Sequence, residues 1–137
     1  MRLLLVGCGK MGGALLSGWL ERGLAPGDAF VVEPVDEAAG TAAEKGVARS
    51  PSADGIPVDF QPDVVVFAVK PQSLDATVGP YGRFAGPGAA VFLTIAAGKP
   101  IAYFEDRLGA AAVVRAMPNT PATVGRGISV LVANDRV

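Results

Sequence analysis

MRLLLVGCGKMGGALLSGWLERG, residues 1–23, decides the fold. Leu3 to Val6 is an uninterrupted apolar run, the pattern of a strand buried on both faces of a parallel sheet. Gly7-Cys8-Gly9-Lys10-Met11-Gly12 follows at once. It supplies GxGxxG between a strand and a helix, the setting in which this otherwise weak motif becomes informative. Gly7 permits the tight turn, Gly9 lets a pyrophosphate approach the backbone, and Gly12 lets the helix pack on the strand. Met11, Ala14, Leu15, Gly18 and Trp19 form one apolar stripe at helical spacing, the expected inner face. Arg22 is expected in the last turn, where a cation suits the dipole, and Gly23 in the left-handed cap. The helix starts at the loop, so its unpaired amide groups face the anion the loop holds. A dinucleotide pyrophosphate suits that position; a glycine-rich turn that binds nothing is the plainer alternative.

With 137 residues the chain is expected to be one domain, 1–137. The net charge of -1 gives no global attraction for nucleic acid or an anionic membrane, and neither is expected as a partner. One cysteine cannot close an internal disulfide, and a chain without histidine makes a zinc site unlikely on composition. Proton transfer would fall to Lys, Asp, Glu, Tyr, a hydroxyl or water. The first apolar run is too short for a signal peptide and no run reaches the length of a membrane span, so a cytoplasmic location is expected.

Along the chain, Phe30 to Val32 reads as a second strand, and Asp36 to Lys45 as a helix capped by Gly46. Glu33 follows Gly12 by 21 positions, close to the spacing at which an acidic strand-end residue bonds the adenosine ribose. A solvated strand-end carboxylate is the other reading. Facing the ribose, Glu33 would oppose the 2′-phosphate of NADP, at up to roughly 4 kcal/mol for like charges about 4 Å apart at a dielectric of 20. NADH should then be tolerated. Gly46 to Arg49 reads as a short third strand, and 50–62 as loop and turn carrying little chemistry.

Asp63 to Val69 is a buried parallel strand ending in Lys70-Pro71. Pro71 pushes Lys70 toward extended geometry on the carboxyl edge of the sheet, where ligands of such sheets bind. Lys70 could meet substrate or nicotinamide there, or be a solvated lysine at a helix start. A helix around Ser73 to Val78 precedes a fifth strand, Ala90 to Ile95, ending in the small residues Ala96, Ala97 and Gly98. These leave room for a flat nicotinamide ring, or form an ordinary turn. Ile101 to Leu108, capped by Gly109, and Ala112 to Met117 complete two Rossmann halves. Met117-Pro118-Asn119-Thr120-Pro121-Ala122 then holds an amide and a hydroxyl between prolines, as donors to a ligand or to their own backbone. Ile128 to Val132 is a last strand. Cys8 reads better as a small side chain that fits than as an activated thiol.

VGCGKMGGALLSGWL, VKPQ, TIAAG and RAMPNTPATVGRG, in that order, resemble the N-terminal domain of pyrroline-5-carboxylate reductase, and more broadly the 6-phosphogluconate dehydrogenase-like superfamily. The resemblance implies an α/β fold: a Rossmann doubly wound, mostly parallel sheet with an additional C-terminal strand, without the family's helical C-terminal domain. It implies reduction of 1-pyrroline-5-carboxylate to L-proline with NADP or NAD in reduced form as hydride donor. Carried over, Gly7, Gly9, Lys10, Met11 and Gly12 would hold the pyrophosphate, with Glu33 at the ribose. Ala68, Val69, Lys70, Pro71, Ala96, Ala97, Gly98, Met117 and Asn119 would line the nicotinamide, and Lys70, Asn119 and Thr120 are the catalytic candidates. Hydride transfer to a protonated imine asks for positioning and exclusion of water.

Glu33-Pro34 departs from the small, polar or basic residues of many members that prefer NADPH. The helical domain carries the family's dimer interface and much of the carboxylate pocket, so homo-oligomerisation is expected of a longer protein and little turnover of this chain alone. A related imine or β-hydroxyacid reductase and a non-enzymatic NAD(P)-binding module are the alternatives. Replacing Glu33→Ser should raise NADPH affinity relative to NADH; titration with both dinucleotides checks this, and an unchanged ratio places Glu33 away from the ribose.

Overall fold

Leu3–Val6 forms β1, buried at all four residues, because it receives a parallel neighbour on each side. The architecture comes from a computed structural model that describes residues 1–118 and 129–137. After β1 come α1 (Lys10–Glu21), β2 (Ala29–Val32), α2 (Gly40–Glu44), β3 (Ala48–Ser50) and β4 (Val64–Phe67). Then follow α3 (Leu74–Thr77), β5 (Val91–Thr94), α4 (Ile101–Leu108), β6 (Ala112–Pro118) and β7 (Ser129–Ala133). The strands form one sheet in the order β3-β2-β1-β4-β5-β6-β7, parallel except for antiparallel β7. Leu3 sits beside Ala29 on β2 and Val64 on β4, so the strand order reverses direction at β1. A crevice opens at the carboxyl ends of such a reversal.

Alternation along the strands divides the core. Leu4, Val6, Val65, Phe67, Phe92 and Val113 face one layer, formed by α3, the 3-10 segment Gly79–Phe84 and α4. Leu3, Leu5, Val31 and Val66 face the other, formed by Leu16 of α1 and Ala42 of α2. Phe67 anchors the first layer: its ring stacks on Phe92 and Phe104, with centroids 6.1 and 5.9 Å away, and meets Tyr81 edge-on at 5.5 Å. Asn134 closes the antiparallel pair, its Oδ1 accepting from Val113 N and its Nδ2 donating to Ala111 O.

Several local expectations are corrected. α1 fully buries Gly12, Gly13 and Leu16, whereas Met11, Ala14, Leu15 and Gly18 are half-buried on its flank. The glycines bring the start of the helix close to the sheet, while Trp19, the last member of the expected stripe, still packs against the core. Arg22 lies just past the last turn as the C-cap, and Gly23 takes the positive φ of +109°. The helix expected over 36–45 is confined to Gly40–Glu44, with turns before it. Asp36 is engaged by Arg49, which ties the start of that segment to β3. β3 begins at Ala48 because Gly46, at φ +72°, still belongs to the end of α2. The helix expected over 73–78 is a 3-10 turn, Pro71–Ser73, leading into the single turn of α3, which Gly79-Pro80 redirects. β7 spans Ser129–Ala133, and Ile128, expected to open it, lies outside the described residues.

Burial pushes the Tyr81 hydroxyl up to about 12 from its ordinary value of 10, against the opposing effect of Arg83. A folded value above the unfolded one means stability that is fully present below pH 10 and lost as pH rises through 12. Urea unfolding across that window should show declining stability, with a shallower decline in Tyr81→Phe.

Candidate functional site

The site begins where β1 ends. Gly7 adopts φ +94°, its N–H donates to Val32 O at 2.9 Å, and an added Cβ would lie 2.8 Å from both Ala68 O and Val69 Cγ1. Gly12 is more constrained still, since a Cβ there would stand 2.3 Å from Gly7 O. Gly9 is the contrast: it is exposed, and nothing lies within 4 Å of where its Cβ would be. It is also the N-cap of α1, and no side chain caps that end. The first-turn N–H groups therefore remain available to an external acceptor, with the dipole's positive end behind them. Such a cradle fits a phosphate group.

Glu33, at the exit of β2, is only 8% exposed. It is not a solvated strand-end carboxylate. Oε1 accepts from Cys8 N at 2.8 Å and Oε2 from Val35 N at 3.1 Å, so one side chain joins the glycine loop to the β2 exit. A carboxylate has about four lone-pair sites, and the two unused ones leave capacity for ligand hydroxyls. Arg49 of β3 supports the same exit, donating from Nε and Nη2 to Glu33 O at 3.0 and 2.8 Å. The Cys8 thiol is buried, and desolvation raises its pKa. That is the behaviour of a space-filling side chain rather than of a nucleophile.

A cleft of about 620 Å³ runs along the carboxyl edge beside these groups. Gly7, Gly9, Glu33, Ala68, Val69 and Lys70 line it. Lys70 is exposed and extended, at φ -64° and ψ 147°, immediately before Pro71. The other candidates lie elsewhere. Lys10 lines a separate cleft of about 390 Å³ between α1 and α2, Met11 is half-buried on the α1 flank, and Pro71 is half-buried beside the main cleft. Ala96 is buried, with its N–H on Thr94 Oγ1, while Ala97, Gly98 and Met117 are exposed at the ends of β5 and β6, outside the main cleft. Asn119 and Thr120 fall outside the described residues.

The sequence reading missed part of the cleft wall. Pro51, Ser52, Ala53 and Asp54, in the segment assigned little chemistry, line the main cleft, as do Thr77 and Tyr81. The available signal was their position: a turn leaving a parallel strand lies on the ligand-binding edge. Among the described residues, no cluster of His, Cys, Asp and Glu could hold a metal ion, and no helix is long and apolar enough to cross a membrane.

This sheet order, glycine turn and edge cleft define a doubly wound, dinucleotide-binding type of α/β domain. The chain belongs to the family described as NADP oxidoreductase, coenzyme F420-dependent, whose model matches residues 2–91. It is 36% identical to a pyrroline-5-carboxylate reductase of Mycobacterium tuberculosis over 95% of this chain and 45% of that protein. A pyrroline-5-carboxylate reductase structure from Coxiella burnetii superposes with a TM-score of 0.89 at 27% identity, covering 99% of this chain and 50% of that one. The Plasmodium falciparum pyrroline carboxylate reductase with NADP bound shares the fold, with a TM-score of 0.81 at 24% identity over 100% of this chain and 49% of that one. The chain thus spans about half the length of the curated relatives it matches.

Gly12→Ala should destabilise the domain by about 1–3 kcal/mol or more, the cost of overpacking, because the new methyl meets backbone that cannot rotate away. Urea unfolding of the variant checks this.

Proposed function

We propose that this chain is the cofactor-binding part of a pyrroline-5-carboxylate reductase, reducing 1-pyrroline-5-carboxylate to L-proline with NADPH or NADH. What chiefly supports the reading is 36% identity to such a reductase sustained across 95% of the chain. The uncapped α1 terminus beside open Gly9 agrees with it. When bound, the reduced dinucleotide supplies a hydride to the imine carbon, whose nitrogen carries the proton.

The chain's own work is positional. Gly7, Gly9 and Gly12, with the first turn of α1, hold the pyrophosphate; Lys10 and Met11 contribute through that turn's backbone. Glu33 takes the ribose hydroxyls. We assign the nicotinamide side to Ala68, Val69, Lys70 and Pro71, together with Ala96, Ala97, Gly98, Met117 and Asn119, and the catalytic roles to Lys70, Asn119 and Thr120, of which Asn119 and Thr120 lie outside the described residues. Small side chains at that edge permit close approach of a flat ring and exclude water from the transferring hydride. A cytoplasmic location suits this reaction. The matched reductases carry about as much chain again. We assign to that further length the rest of the substrate pocket and the contacts of a homo-oligomer.

Calorimetry should detect binding of NADPH or NADH to the chain, with little imine reduction by the same polypeptide. Gly9→Ala should keep the melting temperature, since its methyl enters open space, and weaken binding by about tenfold, roughly 1.4 kcal/mol. Absence of binding to either dinucleotide would falsify the reading.

A further inference from the structure

A fixed cation stands at the β2 exit, against the backbone of Glu33. Arg49 is held twice, through Nε and Nη2, on the carbonyl of Glu33. Its Nη1 reaches Asp36 Oδ1 at 2.9 Å. Asp36 itself is 93% exposed, against 26% for Arg49, so one partner is anchored and the other is free to leave. An exposed ion pair of this kind is weakly held. Glu33 has already committed both oxygens to backbone N–H groups, which offsets part of its negative charge. Val35 has committed its N–H to the same carboxylate, and Pro34 has none to offer. Among the described residues, Arg49 is the cation bonded to the segment Glu33–Asp36.

A ribose held at Glu33 would carry its 2′ substituent toward the residues that follow Glu33. Hydroxyl and phosphate make different demands there. A 2′-hydroxyl leaves the pair Arg49–Asp36 undisturbed. A 2′-phosphate repels the carboxylates of Asp36 and Glu37 and matches the planar donor fork of a guanidinium. An arginine near the ribose is a known means of accommodating that phosphate.

Resting on the assignment of the cleft to a nicotinamide dinucleotide, we propose that Arg49 is the specificity-determining residue for NADPH, releasing Asp36 to receive the 2′-phosphate. Asp36 is then an internal competitor of the phosphate. Its carboxylate occupies the donor edge that NADPH needs, and NADH binds without displacing it.

The test is calorimetric titration of the 137-residue chain with NADPH and NADH, in wild type, Asp36→Asn, Arg49→Leu and the double variant. Asp36→Asn should tighten NADPH by about three- to tenfold and leave NADH within about twofold. Arg49→Leu should weaken NADPH by about tenfold or more, with a much smaller effect on NADH. In the double variant the gain from Asp36→Asn should vanish. If that gain persists without Arg49, removal of negative charge explains it and the proposal is overturned. Equal losses of both dinucleotides in Arg49→Leu, with Asp36→Asn unchanged, would reduce Arg49 to a support for the β2 exit and also overturn it. Asp36→Asn alters an exposed side chain, so it keeps the question open to measurement if Arg49→Leu fails to fold. Wild type binding neither dinucleotide overturns the assignment of the cleft itself; tight binding of both, with an unmoved ratio in the variants, overturns the role of Arg49 alone.

Discussion

The approach of Gly12 to the carbonyl of Gly7 is the constraint on which the rest depends. A side-chain carbon at residue 12 would stand 2.3 Å from that oxygen, so the first helix lies as near the sheet as backbone allows. Its amino end is thereby aimed along the carboxyl edge, with Gly12 and Gly13 at the closest approach and Leu16, Trp19 and Leu20 packing on the core further along. The turn is tied from both sides: Gly7 N donates to Val32 O, and Ala68 N donates to Val6 O. The two strands flanking β1 thus help to set the geometry of the loop. An error in packing the sheet would be an error in the phosphate cradle.

Glu33 extends this coupling from backbone to charge. A carboxylate 8% exposed would be costly if its oxygens were left without donors. Here the two donors come from the glycine loop and from the segment after β2, so the same side chain joins the turn to the β2 exit and lines the cleft. Arg49 adds a second tie from the edge strand. Changing the charge at Glu33 would therefore also remove support from the loop.

The opposite layer is stabilised mainly by aromatic packing. Phe67 joins Phe92, Phe104 and Tyr81, while at the surface Tyr103 donates its hydroxyl to Asp75 and lies under Arg107, whose guanidinium is 3.6 Å from the ring centroid. α3 and α4 are short, and these contacts hold them in place. Their rigidity matters at the site because Ala76, Thr77 and Tyr81 form one wall of the cleft.

Residues 1–23 alone determined the first strand, the glycine turn and the first helix, because each is a local pattern: an apolar run, a sterically special triplet and a capped helix. The continuous apolar run at Val64–Phe67 announced a parallel sheet for the same reason, and further strands were legible around Val91–Thr94 and Ala112–Met117. Four ordered sequence blocks carried the likeness to the reductases. Only the tertiary structure decided which face of α1 is buried, since that depends on one glycine meeting a carbonyl five residues earlier. It alone turned Glu33 onto Cys8 and Val35, brought Arg49 to Asp36, and recruited Pro51–Asp54 to the cleft. These arrangements join residues distant in sequence, and periodicity carries no information about where a long side chain ends once two strands lie side by side.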